Sequence, residues 1–223
     1  SFELGRIDTD LMYEVVMNWE WGNSGSSEIY HDPQTRSQGL SLRSNLARLM
    51  EALVEEGKID KAREVIELAM THLPVEHYDF YTFVEPFVDG YFKVGETNKG
   101  RELFRKLKDI YLDRLDYYAG VPLDEQYDLA EQILSDLEAY KRIIDILIMN
   151  DVRELAESET LIFNEQLDRI ALTRQNFVEE LPDLPGETGP DPDIIDTLPV
   201  SDTTMTDNTD VERAADSTVL RED

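Results

Sequence analysis

The sequence predicts an all-α fold of antiparallel helical hairpins, on three observations. Apolar residues recur three and four positions apart through most of residues 9–177, the spacing of one helical face. Glycine and proline fall between these segments rather than inside most of them. No stretch sustains the alternation of a half-buried strand.

The first helix is expected over residues 9–19, with Leu11, Val15 and Trp19 forming its apolar stripe and Asp8 or Thr9 as N-cap. Residues 22–33, which include Asn23-Ser24-Gly25-Ser26-Ser27, read as a loop, so residues 1–39 form an N-terminal helix and loop. A pair of helices follows over 40–56 and 59–73, parted by Gly57 and closed by Pro74. This pair fits the 34-residue tetratricopeptide pattern, in which large and small residues alternate so that two helices interlock. Leu46, Leu49 and Leu53 fall on the inner stripe of the first helix, and Ala62, Ile66 and Ala69 on that of the second.

Anchoring the same template on Gly95, 38 positions beyond Gly57, selects Val84, Phe87 and Tyr91, then Gly100, Phe104 and Leu107. The extra length falls in residues 75–80, and Pro86 is expected to kink that helix or displace its start. Residues 40–120 thus read as two TPR-like hairpins in a superhelix. Helices over 124–150 and 153–177, turning at Asn150-Asp151, make residues 121–178 a capping pair. Residues 179–223 read as a disordered acidic tail, with five of the nine prolines falling between 182 and 199.

Charge narrows the partners. The chain has 223 residues, 49 acidic against 21 basic, and a net charge of -28. Residues 176–223 hold 14 acidic and two basic residues, a net −12, leaving −16 on the remainder. Nucleic acid and anionic lipid, both of which attract Lys and Arg, are excluded as partners. The absence of cysteine removes disulfides and thiolate chemistry and leaves the redox compartment unread. The most apolar stretch, residues 143–149, is broken by Asp145, so the chain is expected to be soluble and not itself membrane-spanning. It starts at Ser1 without a leader pattern, and reads as a processed form or an excised piece of a longer protein.

No catalytic constellation stands out. His31, His72 and His77 lack ligand spacing, no phosphate-cradling Gly-Lys loop occurs, and Asp191, Asp193 and Asp196 lack the glycine and closing Glu of a calcium loop. No metal and no cofactor are expected. The concave face of helical repeats is the usual binding surface, and here it carries Ser44, Ala47, Glu51 and Val54, then Thr82, Glu85, Asp89 and Phe92. Glu85 and Asp89 share a helix face at i, i+4 and suit a cationic or hydroxyl-rich ligand. Charge on an exposed helix is by default simply solvated. The aromatics Tyr78, Phe80, Tyr81 and Phe83 read first as packing between repeats and second as a sugar- or peptide-stacking platform.

Several segments carry a family resemblance: Gly5-Arg6-Ile7-Asp8-Thr9, Met17-Asn18-Trp19-Glu20-Trp21-Gly22, residues 43–49 and 51–53, residues 55–62, and Gly90-Tyr91-Phe92-Lys93-Val94-Gly95-Glu96. In these the chain resembles the soluble C-terminal region of DUF2723, a membrane-protein family of Bacteroidetes grouped with glycosyltransferases of family GT117. The resemblance spans residues 3–120 and is weaker to about residue 175. It implies a many-helix membrane part N-terminal to Ser1, with this region on the periplasmic face of the inner membrane. The family's acidic catalytic loop lies in that membrane part and has no counterpart here, so no catalytic residue carries over. The phylum's O-glycan motif, Asp followed by Ser or Thr and then a small or aliphatic residue, implies modification at Thr197, Thr203 and Ser217.

The expected function is therefore a non-catalytic protein-interaction domain of a membrane glycosyltransferase, with a protein, peptide or glycan acceptor as partner. The alternative is a free-standing TPR-like scaffold or chaperone-like binding protein unrelated to sugar transfer. An enzyme using an acidic cleft ranks third.

Overall fold

The computed structural model describes residues 7–79 and 81–173, whose regular structure is helical with no strand. Residues 1–6, Phe80 and everything from residue 174 lie outside the described residues, and with them the expected disordered tail and the motifs at Thr197, Thr203 and Ser217.

Helix α1, Thr9–Met17, starts where Asp8 accepts a hydrogen bond from the Leu11 amide at 3.1 Å. Its buried side differs from expectation. Leu11 and Val15 are 61% and 44% exposed, Trp19 lies beyond the helix end at 42%, and Thr9 and Val16 are buried instead. Polar anchoring turns the helix this way. The Thr9 hydroxyl donates to Glu56 at 2.6 Å, and Lys58 and Lys61 contact Asp10 at 2.8 and 2.7 Å. The Lys61 ammonium also lies 4.8 Å from the centre of the Tyr13 ring.

Helix α2, Pro33–Glu55, begins before the expected residue 40. Asp32 caps it, accepting from the Gln34 and Thr35 amides at 2.9 and 3.1 Å, and Pro33 occupies the first turn, where a missing N–H costs nothing. Helix α3, Ile59–His72, packs antiparallel on α2. A single 3-10 turn, Tyr81–Phe83, leads into α4, Glu85–Lys93, whose start is displaced to accommodate Pro86 in its first turn. Helix α5, Thr97–Gly120, pairs with α4 and continues past it.

The expected helix over 124–150 is two helices, α6 (Leu123–Asp128) and α7 (Ala130–Met149), which meet at Leu129. The break accompanies an inward turn of Gln126, whose buried amide donates to the Val121 carbonyl at 2.9 Å and accepts from the Leu172 amide at 3.0 Å. Helix α8, Arg153–Arg169, ends short of the expected residue 177, with Ile170 extended behind it.

The hairpins α2–α3, α4–α5 and α7–α8 are closed by one and the same turn. Gly57, Gly95 and Asp151 all have positive φ, at 73°, 83° and 58°. The amide after each bonds the carbonyl five residues back: Lys58 to Leu53 at 2.8 Å, Glu96 to Tyr91 at 2.8 Å, Val152 to Leu147 at 2.9 Å. The turn residue's own amide bonds three residues back, to Val54, Phe92 and Ile148. This is the Schellman closure, which satisfies carbonyls a helix end leaves orphaned.

Counting from the turn aligns the interiors as well. Leu49, Phe87 and Ile143 are buried eight residues before it, Leu53, Tyr91 and Leu147 four before, and the small residues Ala62, Gly100 and Ala156 five after. Small side chains there let paired helix axes approach closely. All twelve residues expected on the inner stripes of the first two hairpins are buried. The pair expected as a cap is thus a third hairpin of the same build.

Residue type at the turn carries a stability consequence. A left-handed residue with a Cβ costs about 1–2 kcal/mol relative to glycine, less for Asp and Asn. A Cβ at Gly57 or Gly95 would meet nothing within 4 Å, so the cost there is backbone alone. Denaturant titration is expected to show Gly57→Ala and Gly95→Ala each losing about 1 kcal/mol, and Asp151→Gly gaining up to about 1 kcal/mol.

Between α3 and α4 the chain is gathered by Arg43, a wholly buried residue of α2. Its guanidinium donates to the carbonyls of Leu73 (2.9 Å), Pro74 (3.0 Å), Tyr78 (3.1 Å) and Asp79 (2.8 Å). Its five donors in a fixed fork match a connection that has no ladder of its own.

Candidate binding surface

The first helices of the three hairpins, α2, α4 and α7, are neighbours and together form the inner face. Of the six candidate residues, Ser44 and Glu51 lie on α2, Thr82 in the 3-10 turn before α4, and Glu85, Asp89 and Phe92 on α4. Glu51 and Thr82 are exposed and Ser44 is half-buried. Asp89 is half-buried and engaged: Asn150 donates to Oδ1 at 2.8 Å, and Lys93 pairs with Oδ2 at 2.6 Å. Phe92 covers the Gly100 backbone, where a Cβ would stand 3.1 Å from its ring, so it belongs to the seam between α4 and α5. Ala47 is buried and Val54 half-buried.

Glu85 needs correction as an exposed ligand contact. It is buried, Arg142 of α7 donates through Nε to Oε2 at 2.9 Å, and the Tyr111 hydroxyl of α5 donates to Oε1 at 3.2 Å. Glu85 holds the ten-before-turn position that Ala47 takes in the first hairpin, and that position faces the next hairpin rather than solvent. Burial pushes its carboxyl above the usual range, against the pull of Arg142 and Tyr111.

What remains on the inner face is a row of polar groups crossing three helices: Glu51 on α2, Lys93 and Asp89 on α4, and Asn150 at the end of α7. Partial desolvation raises the Glu51 carboxyl, Lys93 opposes this, and Asp89 adds to it. Lys93 is already committed to Asp89, so Glu51 is the group in the row best placed to take an incoming donor or cation.

Two more buried carboxylates repeat the Glu85 arrangement, and sequence reasoning did not reveal them. Asp136 accepts from Tyr118 at 2.9 Å and from Arg114 at 3.0 Å, while Glu159 accepts from Tyr140 at 2.8 Å and from Lys108 at 2.8 Å. The acids push these phenols up, Tyr118 to about 12, after burial itself. Glu159 could have been found from alignment on the turn, because Val65 and Leu103 occupy its position in the other hairpins. A charge at a core position signals an internal partner.

The three histidines stack around the segment after α1. His72 lies against Trp21 with ring centres 5.0 Å apart, and His31 against His77 at 5.2 Å. Burial lowers the His72 pKa. Of the aromatics expected to cluster, Tyr78 is buried, Tyr81 packs edge-on against Tyr111, and Phe83 is partly exposed. Among the described residues, no three His, Cys, Asp or Glu side chains converge to hold a metal ion, and no helix is long and apolar enough to cross a membrane. Compared with known proteins, the chain matches no protein-family model, no curated protein and no solved structure.

Proposed function

We propose that this chain is a non-catalytic helical-repeat interaction domain whose inner face, on α2, α4 and α7, receives a protein or peptide segment. The observation that supports this best is the threefold use of one hairpin. Stacked repeats of one build expose an extended inner surface formed by their first helices, and repeat folds bind through that surface. The partner is cationic or hydroxyl-rich where it meets Glu51. The resemblance to the C-terminal region of DUF2723 proteins supports a periplasmic setting and attachment to a glycosyltransferase-like membrane part. In that setting the domain holds the glycan acceptor or a partner subunit.

Calorimetry of the full 223-residue chain with a lysine-rich peptide tests the face. Glu51→Lys is expected to weaken binding by about three- to tenfold, as loss and reversal of one rim charge does. Its melting temperature is expected to stay near that of the parent, since exposed substitutions shift stability by about 0.5 kcal/mol or less. Glu165→Lys on α8 makes the same change in net charge away from that face. Equal losses from both substitutions mean general attraction to an acidic chain and remove the inner face from the account. The membrane setting is tested by the gene upstream of codon 1. A series of membrane-spanning helices there supports it, and a start codon with a signal peptide directly before Ser1 removes it.

A further inference from the structure

Counting from the turn also shows which side of a hairpin receives the next one. Nine residues after it stand Ile66 and Phe104, both wholly buried, on helices that α4 and α7 cover. The matching residue of the third hairpin is Thr160, which is exposed, because among the described residues no further hairpin follows α8. Beside it, Ile148 at the end of α7 and Leu161 on α8 are 55% and 71% exposed, and with Ala156 they line a groove of about 560 Å³. A repeat buries this side against a neighbour, and a terminal repeat left without one carries a polar outer face. Ile148 and Leu161 break that rule.

The opposite end of the stack is closed. In the second hairpin the residues one and four after the turn, Glu96 and Lys99, pair with Arg63 and Glu67 of the hairpin before, at 3.2 and 2.7 Å. In the first hairpin the same positions hold Lys58 and Lys61, and both pair with Asp10 of α1, at 2.8 and 2.7 Å. Helix α1 therefore stands where a preceding hairpin would place its second helix.

The charges beside the groove decide what can cover it. Its rim carries Arg153, Asp151 and Glu157. Stacking it head to tail onto α1 of another copy would set acid against acid, since α1 carries Asp10 and Glu14 and no Lys or Arg. Meeting its own copy is different, because a two-fold contact sets residue i against j and j against i, so a face holding both signs complements itself. Arg153 is accessible for this, with its side chain 80% exposed and Asp151 at 3.1 Å beside it.

We propose that two copies of this chain join through this face as a two-fold dimer. With the two α8 helices antiparallel about an axis level with Leu155, Arg153 lies opposite Glu157 of the partner subunit on both sides, and each Leu161 covers the other copy's turn at Ile148. The dimer stands apart from the inner-face reading, since α8 takes no part in that face.

Sedimentation equilibrium of the full 223-residue chain, between about 1 and 300 µM, reads the association. A reversible passage from the 25.7 kDa chain to twice that mass is expected within this range. Leu161→Glu is expected to weaken it about tenfold or more, with the melting temperature near that of the parent because the site is exposed. Arg153→Glu and Glu157→Arg are each expected to weaken it about three- to tenfold. Combined in one chain they restore it to near the parent's, because the exchange rebuilds the same pairs between copies. Should Leu161→Glu fail to fold, that exchange decides alone. A chain monomeric to about 300 µM leaves the groove to another protein or another segment of this chain and overturns the proposal. So do assemblies that grow past two copies, a dimer indifferent to Leu161→Glu, and a dimer that the double exchange fails to restore.

Discussion

Arg43→Met is expected to destabilise the chain by about 3–5 kcal/mol, the range for breaking a buried, hydrogen-bonded charge. Among the described residues no carboxylate pairs with this guanidinium at hydrogen-bonding distance; four backbone carbonyls surround it instead. Burial lowers its pKa to about 10, so it stays cationic at neutral pH. Methionine removes the charge and strands carbonyls at Leu73, Pro74, Tyr78 and Asp79, each of which then loses a donor in a place water enters poorly. Arg43→Lys is expected to recover only part of the loss, since one ammonium with three donors cannot serve four acceptors in a planar fork. Guanidinium titration reads both values, and limited proteolysis within residues 73–80 reads local opening. A loss below about 1 kcal/mol for Arg43→Met would mean that other contacts hold this connection.

The second large effect concerns Glu159. Glu159→Leu alone is expected to cost about 3 kcal/mol, because Lys108 and the Tyr140 hydroxyl lose their shared acceptor in a half-buried setting. Replacing all three groups, as Lys108→Met, Tyr140→Phe and Glu159→Leu together, is expected to restore stability to within about 1 kcal/mol of the parent or exceed it. The repeat makes this reversal specific: Val65 and Leu103 hold the equivalent of position 159 in the first two hairpins, so the fold accepts an apolar residue there. A triple variant no more stable than the single one would show that the charge does something the apolar hairpins do not require.

How legible the fold was depended on what marks a turn. Gly57 and Gly95 announced their hairpins because glycine is the common left-handed residue, and the stripes counted from them are buried. Asp151 makes the same turn with the same hydrogen bonds, yet aspartate has many other uses, so the third copy reads in sequence as a capping pair rather than as a repeat. The α1 error has a different origin. Leu11 and Val15 have helical spacing, but periodicity does not say which side docks, and Thr9, Asp10 and Tyr13 settle it through Glu56, Lys58 and Lys61, in the α2–α3 turn and the start of α3, 47 or more residues away.

The candidate site was partly legible for the same reason. The repeat template located the inner face, and Glu51 and Thr82 lie open on it. It could not tell that Glu85 points between hairpins, because Arg142 and Tyr111 arrive from helices 57 and 26 residues further along. The close packing of the loop after α1 and of α2 at Gly25 and Gly39 against Thr71 and Tyr78 is likewise a set of contacts that no local pattern encodes.

The central claim, a three-hairpin repeat that binds through its first helices, is tested most directly by backbone amide chemical shifts of the full chain during titration with a lysine-rich peptide. Shifts running along α2, α4 and α7 around Glu51, Asp89 and Asn150, and needing about three- to tenfold more peptide in Glu51→Lys, are the expected result. Shifts confined to α3, α5 and α8, or spread evenly over every acidic surface and insensitive to Glu51→Lys, would contradict it.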